Sequence, residues 1–309
     1  MPVSSSLVSR VALVNLVANG AIVVTGGAVR LTGSGLGCPT WPRCTDESFV
    51  ATPELAGHGA IEFGNRLLTF VLAAAAVALV VVVFRSARRD LRPLAVLAFL
   101  GIPAQALLGG VTVLTGLNPW TVAAHFLLSS VLVAVSTVLW LRSREPGVGQ
   151  PVVRRPLALL VGGIAAVTAV VLALGTVVTG SGPHSGDLDG SGQPSGGRMG
   201  FDPETISQVH ADVVFLLVGL TVAMLVALYA TDAPGRVTRA ARDLLVVQLV
   251  QGLVGFAQYF TGLPVVLVLL HMLGAVLVTV LTARLVWSVR GPASGQPLDA
   301  PVVPAAAAR

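Results

Sequence analysis

The chain has 309 residues, of which 54% are hydrophobic and only 11% are charged, and its mean hydropathy is +0.86. A soluble domain carries about 25% charged residues, so this composition excludes a soluble protein and predicts a chain that lies in a lipid bilayer. The net charge of +5 does not indicate nucleic-acid binding, because the basic residues follow a membrane pattern instead.

Eight apolar runs are long enough to be membrane-spanning helices, which need about 20 mostly apolar residues each. In chain order they are 9–29, 64–84, 94–115, 120–141, 157–179, 206–229, 243–261 and 265–287. The first run is too long for the apolar part of a signal peptide and has no A-x-A cleavage site, so we count it as a helix. The chain is therefore predicted to be an all-α polytopic membrane protein.

The loops between these runs predict the orientation in the membrane. All nineteen basic residues are Arg, and fifteen of them fall on one side of the predicted membrane. The other side has four: Arg30, Arg43, Arg66 and Arg198. The positive-inside rule places the arginine-rich side and both termini in the cytoplasm, which in a bacterium predicts a multi-pass protein of the plasma membrane.

An internal repeat relates the two halves of the chain. Residues 105–117 read QALLGGVTVLTGL and residues 251–263 read QGLVGFAQYFTGL, and a histidine follows each of them, His125 and His271. Each half has four helices, an even number, so both halves insert the same way up. An axis along the membrane normal then relates them.

The repeat predicts two tandem four-helix bundles with pseudo-two-fold symmetry. Their predicted ranges are 1–145 and 156–290, and a disordered cytoplasmic tail, rich in Pro and Ala, follows at 291–309. Two long loops, at about 30–63 and 180–205, lie on the outer side.

Three histidines lie at similar depth near the outer ends of three helices. His125, His210 and His271 each fall five to seven residues into an even-numbered helix, which corresponds to about 8–10 Å below its outer edge. Ionisable groups inside a membrane are costly and usually functional, and haem iron takes axial imidazoles from two sides of its ring. We predict that His210 and His271 bind one haem; hydrogen bonding between helices is the alternative.

The first half has an asparagine where the second half has His210. Aligning IEFGNRLLTF with ISQVHADVVF places Asn65 at that position, and Glu62 lies one helical turn before it. A carboxylate beside a haem-sized site is suited to proton handling or to stabilising positive charge. The alternative is an interfacial acid at a helix N-terminus, where the helix dipole favours it.

Two cysteines lie in the first outer loop, in the segment GCPTWPRC. Five residues separate Cys38 from Cys44, two of them Pro, and an outer loop faces an oxidising compartment. We predict a disulfide between them, with two free thiols as the alternative. The amides Gln105 and Gln251 are weaker signals, because amides commonly join helices in membranes.

Together these motifs resemble the haem A synthase family, in its actinobacterial form. The resemblance rests on GSGLGCPTWPRC, IEFGNR, QALLGG…HF and QGLVGF…LPVVLVLLHMLGA, and it covers nearly the whole chain from about 10 to 287. It implies a membrane oxidoreductase that converts a methyl group of haem O to a formyl group, giving haem A for cytochrome oxidase. Two successive hydroxylations would form a gem-diol that then loses water.

The resemblance also implies roles for individual residues. It implies a resident haem b in the second half with His210 and His271 as axial ligands, and a substrate haem in the first half with His125 facing its iron. Glu62, the candidate catalytic residue, and Arg66 match the family's Glu-x-x-His-Arg motif, and Asn65 and Arg66 would bind the substrate haem together with His125. Cys38 and Cys44 match the family's loop cysteines. Haem O synthase and a membrane electron acceptor are the candidate protein partners, within the lipid bilayer.

One departure from the family pattern concerns the first half. The histidine of the Glu-x-x-His-Arg motif is Asn65 here, so the substrate iron would have one protein imidazole. His58 lies seven residues earlier, about 10 Å further out along the helix, and would reach the iron only if the helix broke. Five-coordinate iron, or iron with a water ligand, is the simpler interpretation.

Two other classes of protein remain open on the sequence. The first is a non-enzymatic b-type haem subunit for electron transfer, which needs His210 and His271 but neither Glu62 nor a second site. The second is a transporter, since parallel repeats also occur there.

Overall fold

The computed structural model describes residues 3–145, 149–184, 186 and 196–291. Within this part of the chain, eight long α-helices account for most of the structure and confirm the predicted fold class. They are α1 (Ser5–Leu31), α2 (Ala56–Arg85), α3 (Arg92–Leu114), α4 (Pro119–Arg144), α5 (Arg155–Ser181), α6 (Pro203–Ala230), α7 (Gly235–Phe260) and α8 (Val265–Ser288). All eight are long and apolar enough to cross a membrane, so the chain is a multi-pass membrane protein.

The helix boundaries differ most from the predicted runs at the starts of α2 and α7. Both helices begin eight residues earlier than the sequence predicted. The added segments, AGHGAIEF and GRVTRAAR, are too polar or too rich in glycine to extend an apolar run. Hydropathy marks the part of a helix that meets lipid, whereas the helix itself continues wherever its backbone hydrogen bonds do.

The helices form two four-helix bundles. In the first, α1, α2, α3 and α4 pack in a closed ring, and in the second, α5, α6, α7 and α8 do the same. The bundles meet where α8 contacts α1 and α4, and where α4 contacts α5. Pseudo-two-fold symmetry matches α1 with α5 and α4 with α8, so the α4–α5 contact is the counterpart of the α1–α8 contact. Of the predicted tail 291–309, all but Gly291 lies outside the described residues.

The turn after the repeated segment has the same backbone conformation in both halves. Gly116 and Leu117 have φ of 63° each, and Gly262 and Leu263 have φ of 77° and 60°. A left-handed conformation is uncommon for a residue such as leucine. Its recurrence at matching positions shows that the repeat seen in the sequence is also a structural repeat.

Each bundle is tightly packed towards its arginine-rich end. The first-half core is built from Val8, Ala12, Leu79, Val83, Leu91, Ala95 and Leu139. The second-half core includes Ile164, Met224, Leu228, Val237, Leu244 and Leu285. Since these side chains draw the helices together at one end, the space for a ligand lies towards the other end.

A short polar network joins the two halves at the arginine-rich end. The indole nitrogen of Trp287 donates to Glu145 at 3.1 Å, and Arg236 lies 3.4 Å from the same carboxylate. Glu145 follows the last helix of the first half, whereas both of its partners belong to the second. The network therefore holds the relative position of the bundles at the end opposite the ligand space.

Candidate functional site

A large cavity of about 1490 Å³ lies between the helices and extends through both halves. Its lining includes Asn19, Glu62, Asn65, Arg66 and His125 from the first half, and Thr168, His210, Gln248, Gln251 and His271 from the second. Pockets for one small ligand usually measure about 300–1,000 Å³. The volume and the two-part lining fit one large ligand in each half.

The two second-half histidines line this space from different helices. His210 is on α6 and His271 is on α8, and both line the cavity. Over their described residues, α6 and α8 do not pack against each other, because they lie diagonally across the bundle. In the first half Asn65 on α2 and His125 on α4 have the same diagonal arrangement. Each half can therefore hold a flat ligand between two polar side chains.

A glycine on the neighbouring helix supports each histidine ring. A Cβ atom added at Gly109 would lie 3.2 Å from Cε1 of His125, and one at Gly255 would lie 3.3 Å from Cε1 of His271. The corresponding distance from Gly175 to His210 is 3.4 Å. The absence of a side chain at these positions lets each ring pack closely against the adjacent helix.

Two glutamines tie the backbone of the histidines to the preceding helix. Nε2 of Gln105 donates to the carbonyl oxygen of His125 at 3.1 Å, and Nε2 of Gln251 donates to that of His271 at 2.6 Å. Gly274 leaves the room that the Gln251 side chain needs. The bonds agree with the interpretation of both amides as links between helices. Both hydrogen bonds are made to histidines that line the cavity.

Glu62 is buried in a network with Arg66 and the first outer loop. Its Oε1 accepts from Nε and from an η nitrogen of Arg66 at 3.0 and 2.6 Å, and its Oε2 accepts from the Cys38 amide at 2.6 Å. Arg66 also donates to the carbonyl oxygens of Cys38, Thr40 and Arg43, each at 3.1 Å. The two matched motif residues therefore hold the loop against α2 at the edge of the cavity.

Cys38 and Cys44 form a disulfide within this loop, as predicted from the sequence. Both residues are fully buried. We expect neither cysteine to be alkylated in unreduced protein, because both sulfur atoms are bonded to each other. Mass spectrometry of the protein after iodoacetamide treatment, with and without prior reduction, measures this; ready labelling of both cysteines before reduction would contradict the bridge.

Asn65 and His58 occupy different environments. The Thr25 hydroxyl donates to Oδ1 of Asn65 at 2.8 Å, and Asn65 lines the cavity. His58 is exposed, its Nδ1 is 2.9 Å from the Ser34 hydroxyl, and it is absent from the described cavity lining. Since α2 is continuous from Ala56 through both positions, His58 does not take the place of the missing histidine.

The mouth of the cavity carries acidic residues on the side of the loops. Asp202 caps the N-terminus of α6 and lines the mouth together with Glu204. The hydroxyl and amide of Thr205 donate to Asp202 and lower the pKa of that carboxyl from its usual value. Asp202 is therefore ionised at neutral pH and gives this part of the mouth a negative charge.

Sequence reasoning missed two residues at the site. Thr25 holds Asn65, and Trp41, which is part of the cysteine-loop segment GCPTWPRC, lines the cavity. The repeat VVTG in helices 1 and 5 was the available signal for Thr25. Among the described residues no three His, Cys, Asp or Glu side chains group closely enough to hold a bare metal ion.

The fold and the site together define a class: a membrane protein of two fused four-helix bundles with imidazoles facing an internal cavity. Residues 9–184 match the COX15-CtaA family, described as cytochrome oxidase assembly protein. The match covers more than half of the chain, and the chain belongs to this family.

Curated relatives named heme A synthase are similar to part of the chain. The protein from Listeria welshimeri is 34% identical over 122 residues, which are 38% of this chain and 40% of the relative. The one from Bacillus pumilus is 36% identical over 125 residues, 39% of each chain. The one from Halalkalibacterium halodurans is 32% identical over 133 residues, 42% of this chain and 44% of the relative. These alignments span about two fifths of the relatives' length.

Proposed function

We propose that this protein is a haem A synthase, which oxidises a methyl group of haem O to a formyl group. The observation that carries the proposal is the pair of diagonal sites in one cavity, with two histidines in the second half and His125 with Asn65 in the first. The family membership and the names of the relatives support it. The range 1–145 is the proposed substrate half, and 156–290 is the proposed cofactor half.

His210 and His271 are the residues that we propose would bind the iron of a resident haem b. Both residues line the cavity from diagonal helices, and imidazoles are side chains that bind haem iron. A haem held by two imidazoles supplies a one-electron redox centre. Gly175 and Gly255 would keep both rings in the orientation that such ligation needs.

His125 is the proposed ligand of the substrate iron. Asn65 faces it diagonally but is a poor iron ligand, and its Oδ1 already accepts a hydrogen bond from Thr25. One imidazole holds iron less firmly than two, which suits a substrate that must enter and leave. The number of histidines in each half therefore separates a retained haem from an exchangeable one.

Glu62 is the proposed catalytic residue for the oxidation. Loss of electrons makes the methyl carbon electron-poor, and a buried carboxylate in a site of low dielectric stabilises that charge. Glu62 lines the first-half part of the cavity and is 5% exposed. Its ion pair with Arg66 orients the carboxylate, while Arg66 holds the loop next to the proposed substrate site.

Extraction of haems from cells that co-express this protein with a source of haem O tests the activity. We expect haem A to appear on chromatography, together with the hydroxylated form when turnover is slow. A non-enzymatic electron-transfer subunit would contain haem b and leave haem O unchanged. The first-half site with His125 and Glu62 favours the enzyme, since an electron-transfer subunit needs neither residue.

A transporter is less well supported. Transporters of this kind often have helices broken near the membrane midplane, whereas α1 to α8 are each continuous over their described ranges. The absorption spectrum of the purified protein separates the two classes, because a transporter without haem has no Soret band.

The arginine distribution supports an orientation with the cavity mouth outside and both termini in the cytoplasm of a bacterial cell. The lipid bilayer is the immediate environment of the helices. Haem O synthase and a membrane electron acceptor are the proposed protein partners, because the substrate is apolar and its oxidation releases electrons.

Substitution of Gly255 by valine is expected to weaken haem binding in the second half. The added side chain would displace the His271 ring, since even a Cβ there lies 3.3 Å from Cε1; overpacking of this kind costs about 1–3 kcal/mol. Gly219→Val in α6 is the control, because a Cβ at Gly219 meets nothing within 4 Å. Haem content per protein, measured by the pyridine haemochrome spectrum, should fall only in Gly255→Val; equal contents would contradict this role.

A further inference from the structure

The walls of the two sites differ at one pair of positions related by the repeat. In the second half, Phe256 on α7 lines the cavity, and its ring centroid is 6.4 Å from that of Phe215 on α6. The repeat aligns Phe215 with Phe70, so this aromatic residue is present in both halves. It aligns Phe256 with Gly110, so the second aromatic residue is missing from the helix wall of the first half.

The outer loop supplies an aromatic ring at that position. A Cβ added at Gly110 would lie 2.7 Å from Cε2 and 2.9 Å from Cε3 of Trp41. The indole therefore occupies the space into which a side chain at residue 110 would point, and Trp41 lines the cavity. An aromatic ring occurs at this part of the wall in both halves. It belongs to a helix in the second half and to the disulfide loop in the first.

A loop carries Trp41 and a helix carries Phe256, and this difference affects how each ring can move. Phe256 is attached to α7, whose core-facing residues include the buried Leu244, so its ring can turn about its side-chain bonds while its backbone stays in place. Moving Trp41 requires the segment between Cys38 and Cys44 to lift away from α2, while the buried, disulfide-bonded cysteines remain as its two ends. Arg66 donates to the carbonyls of Thr40 and Arg43 in that segment, and segments with few buried contacts open locally more easily than packed helices.

We propose that Trp41 is the movable wall of the first-half site and sets the rate at which its ligand exchanges. The ligand enters and leaves when the loop carries the indole away from Gly110. In the second-half site no loop carries the corresponding ring away, because Phe256 belongs to α7. This inference rests on the proposed function in one respect, that the first half binds a haem as substrate.

Haem release to excess apomyoglobin tests the proposal on the full-length protein in nanodiscs, loaded with haem b in both sites. We expect two phases of release, a fast one from the first half and a slow one from the second. Trp41→Ala should accelerate the fast phase by about tenfold, equivalent to about 1.4 kcal/mol, and leave the slow phase unchanged. Trp120→Ala is the matched control, since Trp120 is exposed and does not line the cavity.

Gly110→Phe provides the reciprocal test. Because the Trp41 indole fills this space, the change is made in the Trp41→Ala protein, where it should place an aromatic ring on the helix as in the second half and slow the fast phase again. Phe256→Gly should accelerate the slow phase alone. If the Gly110→Phe protein does not fold, the comparison of Trp41→Ala with Trp120→Ala still tests whether Trp41 controls the fast phase of haem release.

An unchanged fast phase in Trp41→Ala, or a single slow phase in the wild type, would overturn the proposal. Release does not require oxidation of the methyl group. A Trp41 effect in a protein that makes no haem A would therefore contradict only the proposed activity. Normal haem A formation without a Trp41 effect would contradict only the movable wall.

Discussion

Replacement of His271 or His210 by alanine is expected to remove most of the resident haem from the purified protein. Each ring projects from one of two diagonal helices into the second-half cavity, so a haem between them would lose one of its two axial bonds. Loss of an outer-shell partner of a metal ligand already costs about 10–100-fold in affinity, and loss of the ligand itself should cost more. The absorption spectrum should show a lower Soret band, and any haem left should change from low spin to high spin.

His125→Ala is the matched comparison for these two variants. Its ring has the same glycine support and the same glutamine bond to its backbone, but it belongs to the first half. It should keep the low-spin resident haem while losing the ability to convert haem O. An unchanged low-spin spectrum in both His210→Ala and His271→Ala would refute the assignment of these residues as ligands.

Glu62→Gln is expected to slow the conversion of haem O by about a hundredfold or more, the range seen when one preorganised electrostatic group is removed. The resident haem should remain, because Glu62 lies in the first half. The hydroxylated intermediate should accumulate if the second oxidation depends on the carboxylate as well. Chromatography of haems extracted at several times after induction measures both the rate and the intermediate.

The structure adds a second way in which Glu62 could act, because its carboxylate also accepts from the Cys38 amide. Hydrogen exchange at the amides of residues 38–44 separates loop anchoring from charge stabilisation. Slow conversion with unchanged exchange in Glu62→Gln supports the catalytic role. Slow conversion with fast exchange, reproduced by Arg66→Met, assigns Glu62 to holding the loop. A normal rate of haem A formation would leave Glu62 as an interfacial acid only.

Asn65→Ala should have a milder effect on conversion than His125→Ala. Asn65 is a poor iron ligand, and its carbonyl oxygen is already bonded to Thr25. The same extraction assay compares the two variants. A larger loss in Asn65→Ala than in His125→Ala would show that the asparagine does more in the first site than fill the ligand position.

The positions of the histidines could be predicted from the sequence to within a helical turn. Their distance from the start of an apolar run determines their depth, and the repeat pairs His125 with His271. Which helices lie across from each other could not be predicted, because an eight-helix sequence allows many packings. The diagonal relation of α6 to α8, which places His210 opposite His271, follows from the closed ring of each bundle.

Glu62 shows the same division between local and tertiary information. Its place one turn before Asn65 was readable from the sequence, and so was its match to the family motif together with Arg66. Its bond to the Cys38 amide was not, since that bond joins residues 24 positions apart through the fold of an outer loop. Loop conformations depend on such single contacts and leave no periodic pattern.

By itself the sequence determined the membrane environment, the eight spans, the two-fold repeat and the candidate residues. These properties follow from the burial of apolar side chains in lipid and from regular helix geometry, both of which act locally along the chain. The tertiary structure decided that both sites share one cavity, that Thr25 holds Asn65, and that Trp41 fills the place of Phe256 at Gly110. Those relations arise from the packing of segments that are distant in sequence, so they were determined only when the helices and the loop came together.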